Sequence, residues 1–142
     1  MRRTTVVLLV AYGTAVLFVV AWPKPVDAGS RGLIDRVLEW LHRHGLPGFV
    51  GYDLVEFVAN VALFVPLAFL VAVLFGLERW WLAAFLCATL SVVIELYQYA
   101  LLPDRYATVD DVIANSMGSL IGATFAFVLL RRRRLEIARQ SS

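Results

Sequence analysis

From Thr4 to Trp22 the chain runs 19 residues without a charged side chain. A helix needs about 20 mostly apolar residues to cross the hydrocarbon core of a bilayer. Three further runs are of the same kind. Leu54–Leu77 is charge-free past Glu56 and has Pro66 mid-span, and Trp80–Leu102 carries only Glu95. Val112–Leu130 is closed by Arg131, Arg132, Arg133 and Arg134. Backbone inside lipid must satisfy its own hydrogen bonds, and neighbouring helices re-satisfy groups freed by a proline, so Pro66 does not end its span. The chain is therefore expected to be an all-α membrane protein, a four-transmembrane-helix bundle.

Composition agrees and excludes several alternatives. Of the 142 residues, 61% are hydrophobic and 17% charged, against about 45–50% and about 25% in soluble domains. Disorder requires low hydrophobicity and is excluded. The single cysteine, Cys87, cannot form an internal disulfide, and no Cys/His cluster has zinc-ligand spacing. The net charge of +2 is small and its positives gather at the chain ends. That is a membrane pattern and argues against a nucleic-acid partner. No metal or other cofactor is expected.

The distribution of Lys and Arg sets orientation. Arg2, Arg3, Arg79, Arg131–Arg134 and Arg139 place eight basic residues on one side; Lys24, Arg31, Arg36, Arg43 and Arg105 place five on the other. Both termini are thus expected in the cytoplasm of a bacterial cell, with the chain multi-pass in its inner (plasma) membrane. Arg2-Arg3, the apolar run and Val26-Asp27-Ala28 also resemble a signal peptide cut after Ala28. The run of 19 residues exceeds the usual 7–15 or so of such a segment, and retention is expected.

Four segments follow: 1–22, tail and first span; 23–53, the first extracytoplasmic loop; 54–130, the core with spans two to four; and 131–142, a basic cytoplasmic tail. Within the loop, Pro23, Pro25 and Gly29 mark a turn, and Ser30 can cap a helix reaching His44. Leu33, Ile34, Val37, Leu38 and Leu41 recur at helical spacing. This amphipathic helix either lies on the outer membrane surface, anchored by Trp40, or packs over the bundle mouth as a lid. His42 and His44 point to different faces and do not form a metal pair.

Polar residues gather at one depth. An ionised side chain at the centre of a span costs about 2.5–3.5 kcal/mol on insertion scales, and less near an interface. Glu56 and Asn60 lie one turn apart at the outer end of the second span; Glu95 and Gln98 lie one turn apart towards the outer end of the third. Asp110, Asp111 and Asn115 open the fourth. With a rise of about 1.5 Å per residue, Glu95 is about 10 Å below Leu102 and Asn115 about 6 Å below Asp111. Arg105, in the loop between spans three and four, can reach the same level.

Glu56-Phe57-Val58-Ala59-Asn60 echoes Asp111-Val112-Ile113-Ala114-Asn115, which suggests two hairpins related along the membrane normal. The first span has no counterpart of Glu95 and does not extend the repeat. In the fourth span Ala114, Gly118, Gly122 and Ala126 form a small-residue stripe containing a GxxxG, suited to close helix packing. Its partner is the second or third span, or a second copy in a homo-oligomer.

At these residues the chain resembles the VanZ-like family of small bacterial membrane proteins. The stretches that carry the resemblance are Glu56-x-x-x-Asn60 with Phe64-x-Pro66-Leu67, and Ser91-x-x-x-Glu95-x-x-Gln98. Arg105 and Asp110-Asp111-x-x-x-Asn115-x-x-Gly118-x-x-x-Gly122 complete them, over roughly Tyr52 to Leu130. Glu56 stands where the family often has Asp, or shares that role with Asp53, and Ala68 stands where many members have Gly. The resemblance implies an extracytoplasmic, envelope-linked role. The family's name comes from a protein that lowers susceptibility to teicoplanin-type glycopeptide antibiotics without remodelling the peptidoglycan precursor terminus. No accepted reaction comes with the motifs.

The expected function is a polar, outward-facing ligand site formed by Glu56, Asn60, Glu95, Gln98, Arg105, Asp110, Asp111 and Asn115. Its expected ligands are a membrane lipid headgroup, a lipid-linked cell-wall precursor or a lipophilic antibiotic. Acids outnumber bases, so a cationic or amine-bearing group fits better than a phosphate unless a divalent metal bridges. One alternative is an enzyme acting on an envelope lipid, with Glu95 as general acid or base. No nucleophile–base pair supports it. The other is a structural or partner-organising subunit in which Glu95 pairs with Arg105 and Asn60 with Asn115.

Overall fold

The computed structural model describes residues 2–21, 31–102 and 108–141. Five helices and no strands occur among the described residues. They are α1 (Arg2–Ala21), α2 (Arg31–Arg43), α3 (Tyr52–Phe75), α4 (Trp80–Leu101) and α5 (Val109–Gln140). All but α2 are long and apolar enough to cross a membrane, which makes this a multi-pass membrane protein.

Helix boundaries follow local chemistry. Helix α2 closes with the N–H of Leu46 donating to the Leu41 carbonyl at 3.0 Å and that of Gly45 to His42 at 3.2 Å. This is the double bond pattern of a Schellman cap, which needs a left-handed residue, and Gly45 supplies it at φ +103°. Gly76 (φ +78°) closes α3, its N–H donating to the Ala72 carbonyl at 2.9 Å. Only Gly76 to Arg79 then separate α3 from α4, a connection so short that the two helices must run antiparallel.

Pro66 lies inside α3 without ending it. Having no N–H, it leaves the turn one hydrogen bond short at the Ala62 carbonyl. From α1, the Tyr12 hydroxyl donates to the adjacent Leu63 carbonyl at 2.9 Å. A neighbouring helix thus contributes a donor to the turn that proline weakens.

Helices α3 and α5 run parallel in the closest contact of the bundle. A Cβ built at Gly118 would meet the Val61 carbonyl oxygen and lie 3.0 Å from Phe64 Cβ; one at Gly122 would meet the Val65 carbonyl oxygen and lie 3.0 Å from Phe69 N. The small-residue stripe therefore faces α3, backbone to backbone. Ala68, Ala72, Ala83, Ala114, Ala123 and Ala126 are buried around it, where small side chains let helix axes approach. Phe64, Leu67, Cys87 and Ile94 form a larger-residue core against α1. Helix α1 packs on α3 and α4 and leaves Val7, Val10 and Phe18 exposed on its outer face.

Helix α5 does not end where its apolar run ends. It continues through Arg131–Arg134 to Gln140, 32 residues in all, or about 48 Å against a hydrocarbon core of about 30 Å. Arg and Leu are strong helix formers, so arginines that stop a membrane span need not stop the helix.

Candidate functional site

On α4, Ser91, Glu95 and Gln98 occupy one face (i, i+4, i+7), and all three are buried, Glu95 to 8% exposure. On α5, Asp111, Asn115 and Ser119 recur every four residues. On α3, Asn60 lies one turn after Glu56. The three faces meet where α3 and α5 begin.

The junction is closed by a short hydrogen-bonded chain. Thr108 is the N-cap of α5, and its hydroxyl accepts from the Asp111 N–H at 3.1 Å while donating to Asp111 Oδ2 at 2.8 Å. In a full capping box the acid at the third helical position would also take the N-cap N–H. Here that N–H donates instead to Glu95 Oε2 on α4, at 3.1 Å. Asp111 Oδ1 is then available to accept from Asn60 Nδ2 on α3. The start of α5 is thereby tied to both neighbouring helices through two carboxylates.

One turn deeper, Asn115 Nδ2 donates to Ser91 Oγ at 2.9 Å, and the Ser119 hydroxyl donates to the Asn115 carbonyl at 2.8 Å. Asn115 is 5% exposed and its Oδ1 is buried without a hydrogen-bond partner. A buried acceptor left without a donor costs about 1–3 kcal/mol.

The expected site residues are distributed unevenly over this arrangement. Asn60, Glu95 and Asp111 meet through Thr108, and Asn115 lies directly beneath them. Gln98, on the same face of α4, reaches α1 instead, its Nε2 donating to the Val20 carbonyl at 2.9 Å. Glu56 and Asp110 are exposed. Arg105 lies outside the described residues, and with it the expected Glu95–Arg105 pairing. The Asn60–Asn115 pairing does not form, because Asn60 is taken by Asp111 and Asn115 faces α4. The echoed Asn positions of α3 and α5 consequently have different partners. Thr108 and Ser119 were absent from the expected set. Thr108-x-x-Asp111 is a sequence-level capping signal, whereas nothing in sequence marks Ser119 beyond its spacing of four residues from Asn115.

Among the described residues, no group of three His, Cys, Asp or Glu side chains is placed to hold a metal ion. Two open surface grooves, one at Arg2, Arg3, Val6 and Val7 and one at Leu120, Ile121, Thr124, Phe125 and Val128, lie away from the polar layer. The layer's acceptors include two carboxylates and an amide oxygen. Chemically it is suited to hold a donor or a positive charge.

A model of the VanZ/LLP1 family matches residues 7–131. Neither the curated proteins nor the solved structures contain a match.

Proposed function

Because the chain belongs to the VanZ/LLP1 family, we propose that its polar layer is a ligand site facing the outside of a bacterial plasma membrane. The ligand is a cationic group on an envelope lipid, a lipid-linked cell-wall precursor or a lipophilic glycopeptide-type antibiotic. Both termini are cytoplasmic in this reading, which the Lys and Arg distribution supports, and the starts of α3 and α5 then lie at the outer leaflet. Glu95, Asp111, Asn60 and Asn115 form the inner part of the site. Glu56 and Asp110 guard its mouth, and Gln98 holds α1 beside it. A contribution to antibiotic resistance would follow if occupancy altered access of such a drug to its precursor.

The observation that carries the reading is the buried Asn115 Oδ1 without a donor, beneath two carboxylates drawn from two helices. Ionisable groups within spans are expensive and mark functional sites by default. A purely structural role is a poor return, since interhelical polar contacts in membranes average about 0.6 kcal/mol.

The test is native mass spectrometry of protein gently extracted from its own membrane, wild type beside Glu95→Gln. A defined lipid or lipid-linked glycan kept by the wild type and lost from the variant is the expected result. Equal, non-selective adducts on both would overturn the site and favour a structural or partner-organising role.

A further inference from the structure

Resting on that reading, we infer that the group seated in the layer is a primary ammonium, an –NH₃⁺ headgroup that donates an N–H to Asn115 Oδ1 and another to the Asp111 carboxylate. Two independent observations meet here. One is the pair of carboxylates, Glu95 and Asp111, joined through Thr108. The other is Asn115, 5% exposed, whose amide N–H is committed to Ser91 while its Oδ1 has no donor.

Asn115 follows Asp111 by one turn on the same face of α5, and side chains on a helix tilt toward its N-terminus. The residue that carries the orphaned oxygen thus lies directly beneath the acidic junction.

The acceptor chemistry selects among cations. A primary ammonium has three N–H donors and no acceptor, which matches a floor and wall that offer oxygen atoms. A quaternary ammonium has no N–H and is held by aromatic faces. Among the described residues, Tyr97 and Tyr99, beside Gln98 on α4, are 41% and 81% exposed. A metal ion is disfavoured by the donor set, since no three carboxylate, His or Cys side chains converge among the described residues. Shallow depth allows an aminated headgroup to enter while its acyl chains stay in the leaflet.

The test uses the full chain in nanodiscs holding equal amounts of phosphatidylethanolamine and phosphatidylcholine, with retained lipid read by native mass spectrometry. The wild type should favour phosphatidylethanolamine by about tenfold, the value of one hydrogen bond to a charged group. Asn115→Leu should abolish the preference, and Asn115→Asp, which keeps an oxygen at Oδ1, should retain it. The second variant keeps the test decisive if the first fails to fold. Excess ethanolamine should displace the lipid if the amine alone is recognised; failure to displace, with the preference intact, assigns recognition to the amine on a lipid. Equal retention of both lipids that still depends on Glu95 would overturn the ammonium while leaving a binding site. Retention independent of both Glu95 and Asn115 would overturn the site as well.

Discussion

The backbone N–H of Thr108 donates to Glu95 Oε2 at 3.1 Å, so the first amide of one membrane helix is satisfied by an acid on another. The bond does two things. It fixes where α5 begins relative to α4, and it releases Asp111 from the role a capping acid ordinarily has. Asp111 then reaches α3 through Asn60. Charge and helix capping are thereby coupled in one junction.

That coupling separates two substitutions at Glu95. Glu95→Gln keeps an oxygen for the Thr108 N–H but loses the charge, so membrane levels and melting temperature should stay near wild type while ligand retention disappears. Glu95→Leu removes the acceptor too and should cost about 1–3 kcal/mol of stability. Thermal melting of both purified variants in one detergent separates the cases. A Gln variant as unstable as the Leu variant would show that the charge itself holds the fold.

Thr108 contributes to the same junction from the other side. Thr108→Ala removes the oxygen that accepts the Asp111 N–H and should destabilise by about 1 kcal/mol, the usual value of an N-cap side chain. Thr108→Ser keeps that oxygen and should restore it. Amide hydrogen exchange over residues 109–111 reads the difference: faster in the Ala variant, unchanged in the Ser variant.

Packing of α3 on α5 predicts a sharp contrast among glycines. Gly118→Ala and Gly122→Ala drive a methyl group into the Val61 and Val65 carbonyls. Backbone, unlike a side chain, cannot rotate away. Overpacking of this kind costs about 1–3 kcal/mol, occasionally more, and should appear as reduced melting temperature and reduced protein in the membrane. Gly13→Ala meets nothing within 4 Å and should leave both unchanged, which makes it the internal control.

Sequence made the spans legible because lipid imposes a length and a charge rule on every one of them. It also brought the Asn60, Glu95, Asp111 and Asn115 positions to one depth, since helical rise is constant. What it could not specify was pairing. A small-residue stripe says that a backbone approaches, not whose, and α3 rather than α4 meets Gly118 and Gly122. The direction of Gln98 depended on where α1 ends, a tertiary fact. The 32-residue length of α5 was hidden because Arg131–Arg134 mark the end of the hydrocarbon, and the same residues are compatible with further helix. Thr108 was readable as a cap, yet its N–H going to Glu95 was not, because that bond crosses between helices.

Orientation rests on the Lys and Arg distribution and is open to direct test. With Cys87, which is buried, replaced by Ala, Arg105→Cys places a single thiol in the connection between α4 and α5. Glu136→Cys places one on the extension of α5, beyond Arg134, where the helix is exposed. A membrane-impermeant maleimide should label residue 105 in intact cells and residue 136 only after permeabilisation. Because α5 is about 48 Å long and the hydrocarbon core about 30 Å thick, the two positions cannot share a side if α5 spans the membrane once. Labelling of residue 136 but not 105 from outside would invert the protein, and the polar layer would then face the cytoplasm, out of reach of an extracellular antibiotic.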